Sequence, residues 1–155
     1  MEVQNPALVV QPGSAAGASL SDGAFELLAD GGAVSASRLT LTTGADGAPP
    51  HHHKLSHEVF YVLDGTMLFR LGETLTTVGT GGLVIVPPGL VHVFGAADGE
   101  VADVFVVLSP GIERFGYFEQ LAAISRGEAE FPSLIPAQDR YDVHFADLPD
   151  WRSPG

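Results

Sequence analysis

The chain has 155 residues, the size of one ordinary domain and enough to bury a core. An apolar fraction of 45% with only 17% charged residues excludes a disordered chain. A formal net charge of −12 with only seven scattered Lys and Arg leaves no basic stripe for phosphates, which excludes nucleic acid and anionic membrane surfaces as partners.

The absence of cysteine rules out disulfides, thiolate zinc sites and cysteine nucleophiles, and is neutral about compartment. No apolar run approaches the roughly 20 residues that span a bilayer. Met1–Pro6 lacks the basic-then-apolar pattern of a secretory signal. A cytoplasmic protein with no membrane association is the expectation. Nineteen glycines and eleven prolines among short apolar runs predict many turns and an all-β architecture.

In chain order, a short strand is predicted at Ala7–Val10 and a loop or arm over 11–24. Phe25–Ala29 is an apolar run ending in the turn Asp30-Gly31-Gly32, and Val34–Thr42 reads as a β-branched-rich strand. Gly44–Pro50 is a turn leading into clustered histidines. Glu58–Leu63 is a strand, closed by Asp64-Gly65 as the chain's strongest hairpin signal. Met67–Leu71 and Thr74–Val78 follow at hairpin spacing. Turns at Gly79–Gly82 and Pro87-Pro88-Gly89 bracket a strand at Leu83–Val86, and Val91–Phe94 and Val101–Leu108 complete the series. Strands of this length with frequent turns describe a barrel or jelly roll. A helix is predicted over Ile112–Arg126, with Ser109 as N-cap and Ile112, Phe115, Phe118 and Ala122 on one face. The tail carries Phe131, Leu134, Tyr141, Phe145 and Trp151, enough to pack on the barrel or a partner subunit. No second domain, repeat or linker is visible: a barrel core of about 25–108 and a helix and tail over 109–155 make one domain.

Four of the six histidines fall at 51, 52, 53 and 57, and a fifth at 92. Residues two apart on a strand share a face, so His51 and His53 point one way and His52 the other. Glu58 opens the next strand, and His92 follows a Pro-Pro-Gly turn. Three neutral imidazoles and a carboxylate suit a divalent first-row metal. His51, His53, Glu58 and His92 are therefore the candidate ligands. His52 and His57 are expected to face outward, and His144 to lie at a surface or interface. Phe60, Val62 and Phe94 share the alternation of Glu58 and His92, and with Met67 and Phe69 are the candidate lining of a substrate pocket; core packing is equally consistent with them. Tyr61 alternates to the opposite face. Arg38 is read either as a binder of an acidic group or as an exposed strand residue.

These residues resemble the cupin family. Gly47, His51, His53, Glu58 and Gly65 fit its first motif, with three residues rather than the usual five between glycine and the first histidine. Gly81, Pro87, Gly89 and His92 fit the second motif, G-x5-P-x-G-x2-H, and Ala96 stands where that motif often ends in asparagine. The segments PGIERFGYFEQL and RYDVHFADLPDW are similar to the tails of single-domain bacterial cupins described as quercetin-dioxygenase-like. The resemblance implies a double-stranded β-helix (jelly-roll) barrel with a C-terminal helix and extended tail, holding one divalent transition metal (Fe, Mn, Ni, Co, Cu or Zn). It implies a dioxygenase acting with O2 on a small phenolic, flavonol-like or polyketide-like enolisable substrate, with Glu58 as ligand or general base. Non-redox cyclases, isomerases and lyases, and non-enzymatic binding barrels, are the other implied classes. Exposed strand edges and the apolar tail also suggest a homodimer.

Overall fold

The structure, a computed structural model, describes residues 7–154. Ten antiparallel strands form a curled, mostly β jelly roll. They are β1 (Ala16–Leu20), β2 (Gly23–Ala29), β3 (Ser35–Leu41), β4 (His51–His52), β5 (His57–Leu71), β6 (Thr74–Gly79), β7 (Leu83–Val86), β8 (His92–Ala96), β9 (Ala102–Ser109) and β10 (His144–Phe145). One wall has the order β1-β2-β3-β9-β5-β7 and the other β10-β4-β8-β5-β6. The strand β5 belongs to both. Its first half pairs with β7 and β9, and its second half with β6 and β8.

That double membership corrects the hairpin expected at Asp64-Gly65. The pair lies inside β5, beside a register shift between Val62 and Asp64. Gly65 has φ +74, and a Cβ there would lie 1.9 Å from the Val101 carbonyl oxygen. Only glycine allows this close approach, and the resulting bulge bends the strand from one wall to the other. The hairpin closes eight residues later instead, where Leu71 faces Thr74.

Two further expectations are corrected. Ala7–Val10 has no regular structure, and β1 forms inside the stretch expected to be a loop. Small residues give AGASL weak β propensity; pairing with β2 supplies what propensity lacks, setting buried Ala18 against Phe25. The helix α1 spans Phe115–Ser125 rather than starting at Ile112. Ser109 ends β9, and its hydroxyl donates to the Ala33 carbonyl. The cap comes from the turn after β2, where Asp30 Oδ1 accepts the backbone N–H of Arg114 at 2.6 Å and of Phe115 at 3.1 Å. Gly127, at φ +77, follows the helix end at Ser125, within one residue of the expected Arg126.

Alternating residues of β3, β5, β8 and β9 fill the interior with Leu39, Phe60, Val62, Phe69, Val104 and their neighbours. The tail packs back on the barrel. It runs through a 3₁₀ segment (Phe131–Ala137) and a single-turn helix α2 (Gln138–Tyr141) before β10 pairs with β4. Leu134, Val143 and Trp151 are buried there. No helix among the described residues is long and apolar enough to cross a membrane.

Candidate metal centre

The four candidate ligands meet at one end of the barrel. His51 lies in β4 opposite His92 in β8, His53 follows β4 directly, and Glu58 is the second residue of β5. The Pro87-Pro88-Gly89 turn delivers His92 and is tied to His53, whose carbonyl accepts the Gly89 N–H at 2.7 Å. All four side chains are buried, and one ligand atom from each lies within 4.8 Å of the others.

Each imidazole is held by its Nδ1. His51 Nδ1 meets the Pro49 carbonyl at 2.6 Å, His53 Nδ1 the Asp142 carbonyl at 2.6 Å, and His92 Nδ1 the Leu90 carbonyl at 2.9 Å. A carbonyl only accepts, so each Nδ1 carries the proton and each Nε2 is left to bind an ion. Glu58 Oε1 lies 2.8 Å from His92 Nε2 and 3.4 Å from His53 Nε2. His53 Nε2 is buried with no hydrogen-bond partner among the described residues. An orphaned imidazole nitrogen beside a carboxylate is costly in isolation. A divalent cation among these atoms satisfies both, and the donor set is compatible with a single metal ion.

The electrostatics favour ligation at His51 and Glu58, and at His92 favour a proton that an ion would displace. Burial, reinforced by its two histidine neighbours, pushes His51 well below the usual imidazole range, so it stays neutral and able to ligate. Burial alone would raise the Glu58 carboxyl, but His53 and His92 outweigh it and hold the group well below the carboxylate range. Burial likewise opposes charge on His92, and the hydrogen bond that its Nε2–H donates to Glu58 reverses that, raising it.

The centre opens onto a narrow apolar cavity of about 20 Å³, room for about one water, so a larger molecule enters only as the surrounding side chains move apart. His51, His53 and Glu58 form one part of its wall. Phe94, one of the five pocket candidates, lines it; Phe60, Val62, Met67 and Phe69 are fully buried in the surrounding core and not in its wall. Gly47 makes room for Phe94, since a Cβ at 47 would stand 2.4 Å from the phenyl ring. The rest of the wall includes Phe25, Leu39 and Val106 from the barrel and Arg114, Tyr117, Phe118 and Val143 from the segment after it.

His52 turns away from the cluster and stacks on His144 of β10, with ring centroids 5.2 Å apart. His57 and Tyr61 are exposed. Arg38 is on the outer face of β3, where Asp103 of the neighbouring strand takes its Nε at 2.8 Å.

Sequence reasoning did not single out Asp142 or Arg114. Asp142, at φ +52, offers its carbonyl to His53 and its carboxylate to the backbone N–H groups of Lys54 and Leu55, at 2.7 and 2.9 Å. Arg114 is fully buried. It donates to the Tyr141 carbonyl and the Ser35 and Ser56 hydroxyls, and its Nη2 lies 3.6 Å from Asp142. One signal for Arg114 was available: a lone cation in an apolar segment at the start of a helix.

Residues 37–108 match the family model described as Cupin domain. That match covers just under half of the chain, and the barrel shares the jelly-roll fold of solved cupin structures. Among solved structures, an RmlC-like cupin from Shewanella frigidimarina NCIMB 400 superposes with a TM-score of 0.60 at 19% identity, covering 68% of this chain and 93% of that one. The polyketide cyclase RemF from Streptomyces resistomycificus gives a TM-score of 0.55 at 22% identity over 66% and 78% of the two chains. Streptomyces PAC13, in a structure with uridine, gives 0.56 at 16% identity over 72% and 87%. At these identities the likeness is one of fold. No curated protein matches the chain.

Proposed function

We propose that this protein is a metal-dependent oxygenase acting on a small phenolic, flavonol-like or polyketide-like enolisable molecule. The supporting observation is the placement of three Nδ1-anchored imidazoles and Glu58 in the wall of an apolar cavity. His51, His53, Glu58 and His92 would hold the ion. A bound divalent first-row metal supplies a Lewis acid and, for redox-active ions, a path for electrons between an enolised substrate and dioxygen.

The chain's own residues account for the rest. Phe25, Leu39, Phe94, Val106 and Phe118 pack an aromatic or polyketide-like molecule and keep bulk water from the reacting end. No hydrogen bond among the described residues uses Glu58 Oε2. That oxygen is the proposed acceptor for the proton of an enol or phenol hydroxyl, which leaves an enolate facing the imidazoles and a carboxylic acid on Glu58. Likeness of fold to a polyketide cyclase favours a second reading, in which the same proton transfer starts a cyclisation, isomerisation or lyase reaction without dioxygen.

Metal analysis of untagged protein is the first test, with close to one ion per chain as the expected result. Oxygen uptake on mixing with a flavonol and polyketide panel follows. Conversion proceeding equally under argon would reject the oxygenase and leave the non-redox reading. We also propose a homodimer. Exposed Tyr61, Leu63, Leu83 and Ile85 on the outer face of β5 and β7 support it, and sedimentation at a monomer mass would reject it.

A further inference from the structure

The cavity holds a second polar feature, remote in sequence from the ligand set. Tyr117 is buried in α1, and its hydroxyl has no hydrogen-bond partner among the described residues. Its ring is packed against Phe118, Tyr141 and Phe145, with centroids 5.3, 5.9 and 6.5 Å away, which fixes where the hydroxyl points. Tyr117 lines the same cavity as His51, His53 and Glu58. A buried hydroxyl without a partner opposes folding, and phenylalanine would occupy the same space without that cost. Arg114, the nearest cation in that wall, has its Nε, Nη1 and Nη2 committed to Tyr141, Ser35 and Ser56. With Ser37, the hydroxyl is one of the few uncharged polar groups in a wall that is mostly apolar.

We infer that Tyr117 is a ligand-recognition residue, whose hydroxyl donates a hydrogen bond to a carbonyl or phenolic oxygen of the molecule in the cavity. The inference rests on reading the cavity as the substrate site, and it narrows the substrate class. The molecule has an apolar body with two separated oxygen functions, one directed to the His51–His53–Glu58 wall and one to Tyr117, and its entry parts the side chains that close the cavity. A hydrocarbon body with a single oxygen uses only one of these positions. Burial, and behind it the nearby Glu58 charge, raise the Tyr117 hydroxyl above the usual phenol range, so it remains a donor throughout the physiological range.

The test uses α-tetralone and its hydrocarbon counterpart tetralin, with the intact protein both chelator-treated and loaded with zinc. Wild-type protein without metal is expected to bind α-tetralone about tenfold more tightly than tetralin, the worth of one satisfied buried hydrogen bond. Tyr117→Phe is expected to bring the two affinities to within about twofold while leaving tetralin binding unchanged. Its ligand-free melting temperature should equal or exceed that of wild type, because an unpaired hydroxyl is lost. A preference for the ketone that survives in Tyr117→Phe overturns the inference, as does failure of both probes to bind. So does a marked fall in the variant's melting temperature, which would mean that the hydroxyl is engaged within the folded chain. A ketone preference that appears only with zinc and persists in the variant rejects the role of Tyr117 but keeps the metal. Failure to bind zinc, with the metal-free preference intact, rejects the metal reading and leaves Tyr117 in place.

Discussion

The barrel and the segment that follows it serve the candidate centre in different ways. The barrel contributes the four candidate ligands, and it orients two of them locally: His51 and His92 are each anchored by a carbonyl two residues earlier in the chain. The segment after β9 contributes none of the four. It supplies the anchor of the third histidine, the carbonyl of Asp142, from eighty-nine residues away, together with Arg114, Tyr117, Phe118 and Val143 of the cavity wall. Ligand identity is thus a property of short motifs, whereas ligand posture and pocket shape depend on a long-range closure.

The comparison is sharpest when each region is broken in turn. Removing a barrel ligand should have the largest effect. Glu58→Ala and His92→Ala are each expected to weaken metal binding by more than about 100-fold, beyond the loss typical of an outer residue. His52→Ala should keep near-wild-type metal content by mass spectrometry. Equal losses from all three would mean that the facing of His51, His52 and His53 has been misassigned.

Next comes Arg114→Met, which leaves every ligand in place. It removes the cation beside the Asp142 carboxylate and the donors to the Tyr141 carbonyl and the Ser35 and Ser56 hydroxyls, and should cost about 3–5 kcal/mol in urea unfolding of metal-free protein. A cost near zero would show that the cation is dispensable to the closure.

Asp142→Ala should follow, with metal affinity about 10–100-fold weaker. The Lys54 and Leu55 N–H groups lose their acceptor, and alanine tolerates the left-handed backbone poorly. This contribution should depend on pH. Burial alone would raise the Asp142 carboxyl, but the two backbone N–H groups outweigh it and hold it below its ordinary value of 3.8. A depressed carboxyl contributes stability that is complete above the unfolded value and is lost as pH falls through the folded one. The stability gap between wild type and Asp142→Ala should therefore be constant at neutral pH and narrow below about pH 4. A gap that widens on acidification would contradict this assignment.

Gly47→Ala should have the smallest effect, about 1–3 kcal/mol. It presses on Phe94, so loss of tetralin binding exceeding the loss of stability would show that the phenyl ring moves into the cavity.

Much of the barrel's half of this comparison was legible in the chain. Alternation placed His51 and His53 together and turned His52 outward because strand periodicity is local. The same alternation put Phe60, Val62, Met67 and Phe69 inside but did not separate core from cavity wall, since both lie on one face of a strand. Asp64-Gly65 misled because the positive φ that suits a tight hairpin suits a bulge equally well. In α1, the apolar spacing pointed to Ile112, Phe115, Phe118 and Ala122, and of these Ala122 is buried, together with Tyr117 and Leu121. The Asp30 cap sets where the helix starts, and that contact spans more than eighty residues. The role of Asp142 was invisible for a related reason, since its carbonyl, not its side chain, holds His53.

The Asp142–His53 tie also orders events during synthesis. Asp142 is made fifty residues after His92, a delay of about 3–10 s at ordinary elongation rates. Until then a nascent chain on the ribosome presents the four candidate ligands with one imidazole free to rotate. An orderly centre of this kind is complete only once Asp142 has emerged and docked against His53.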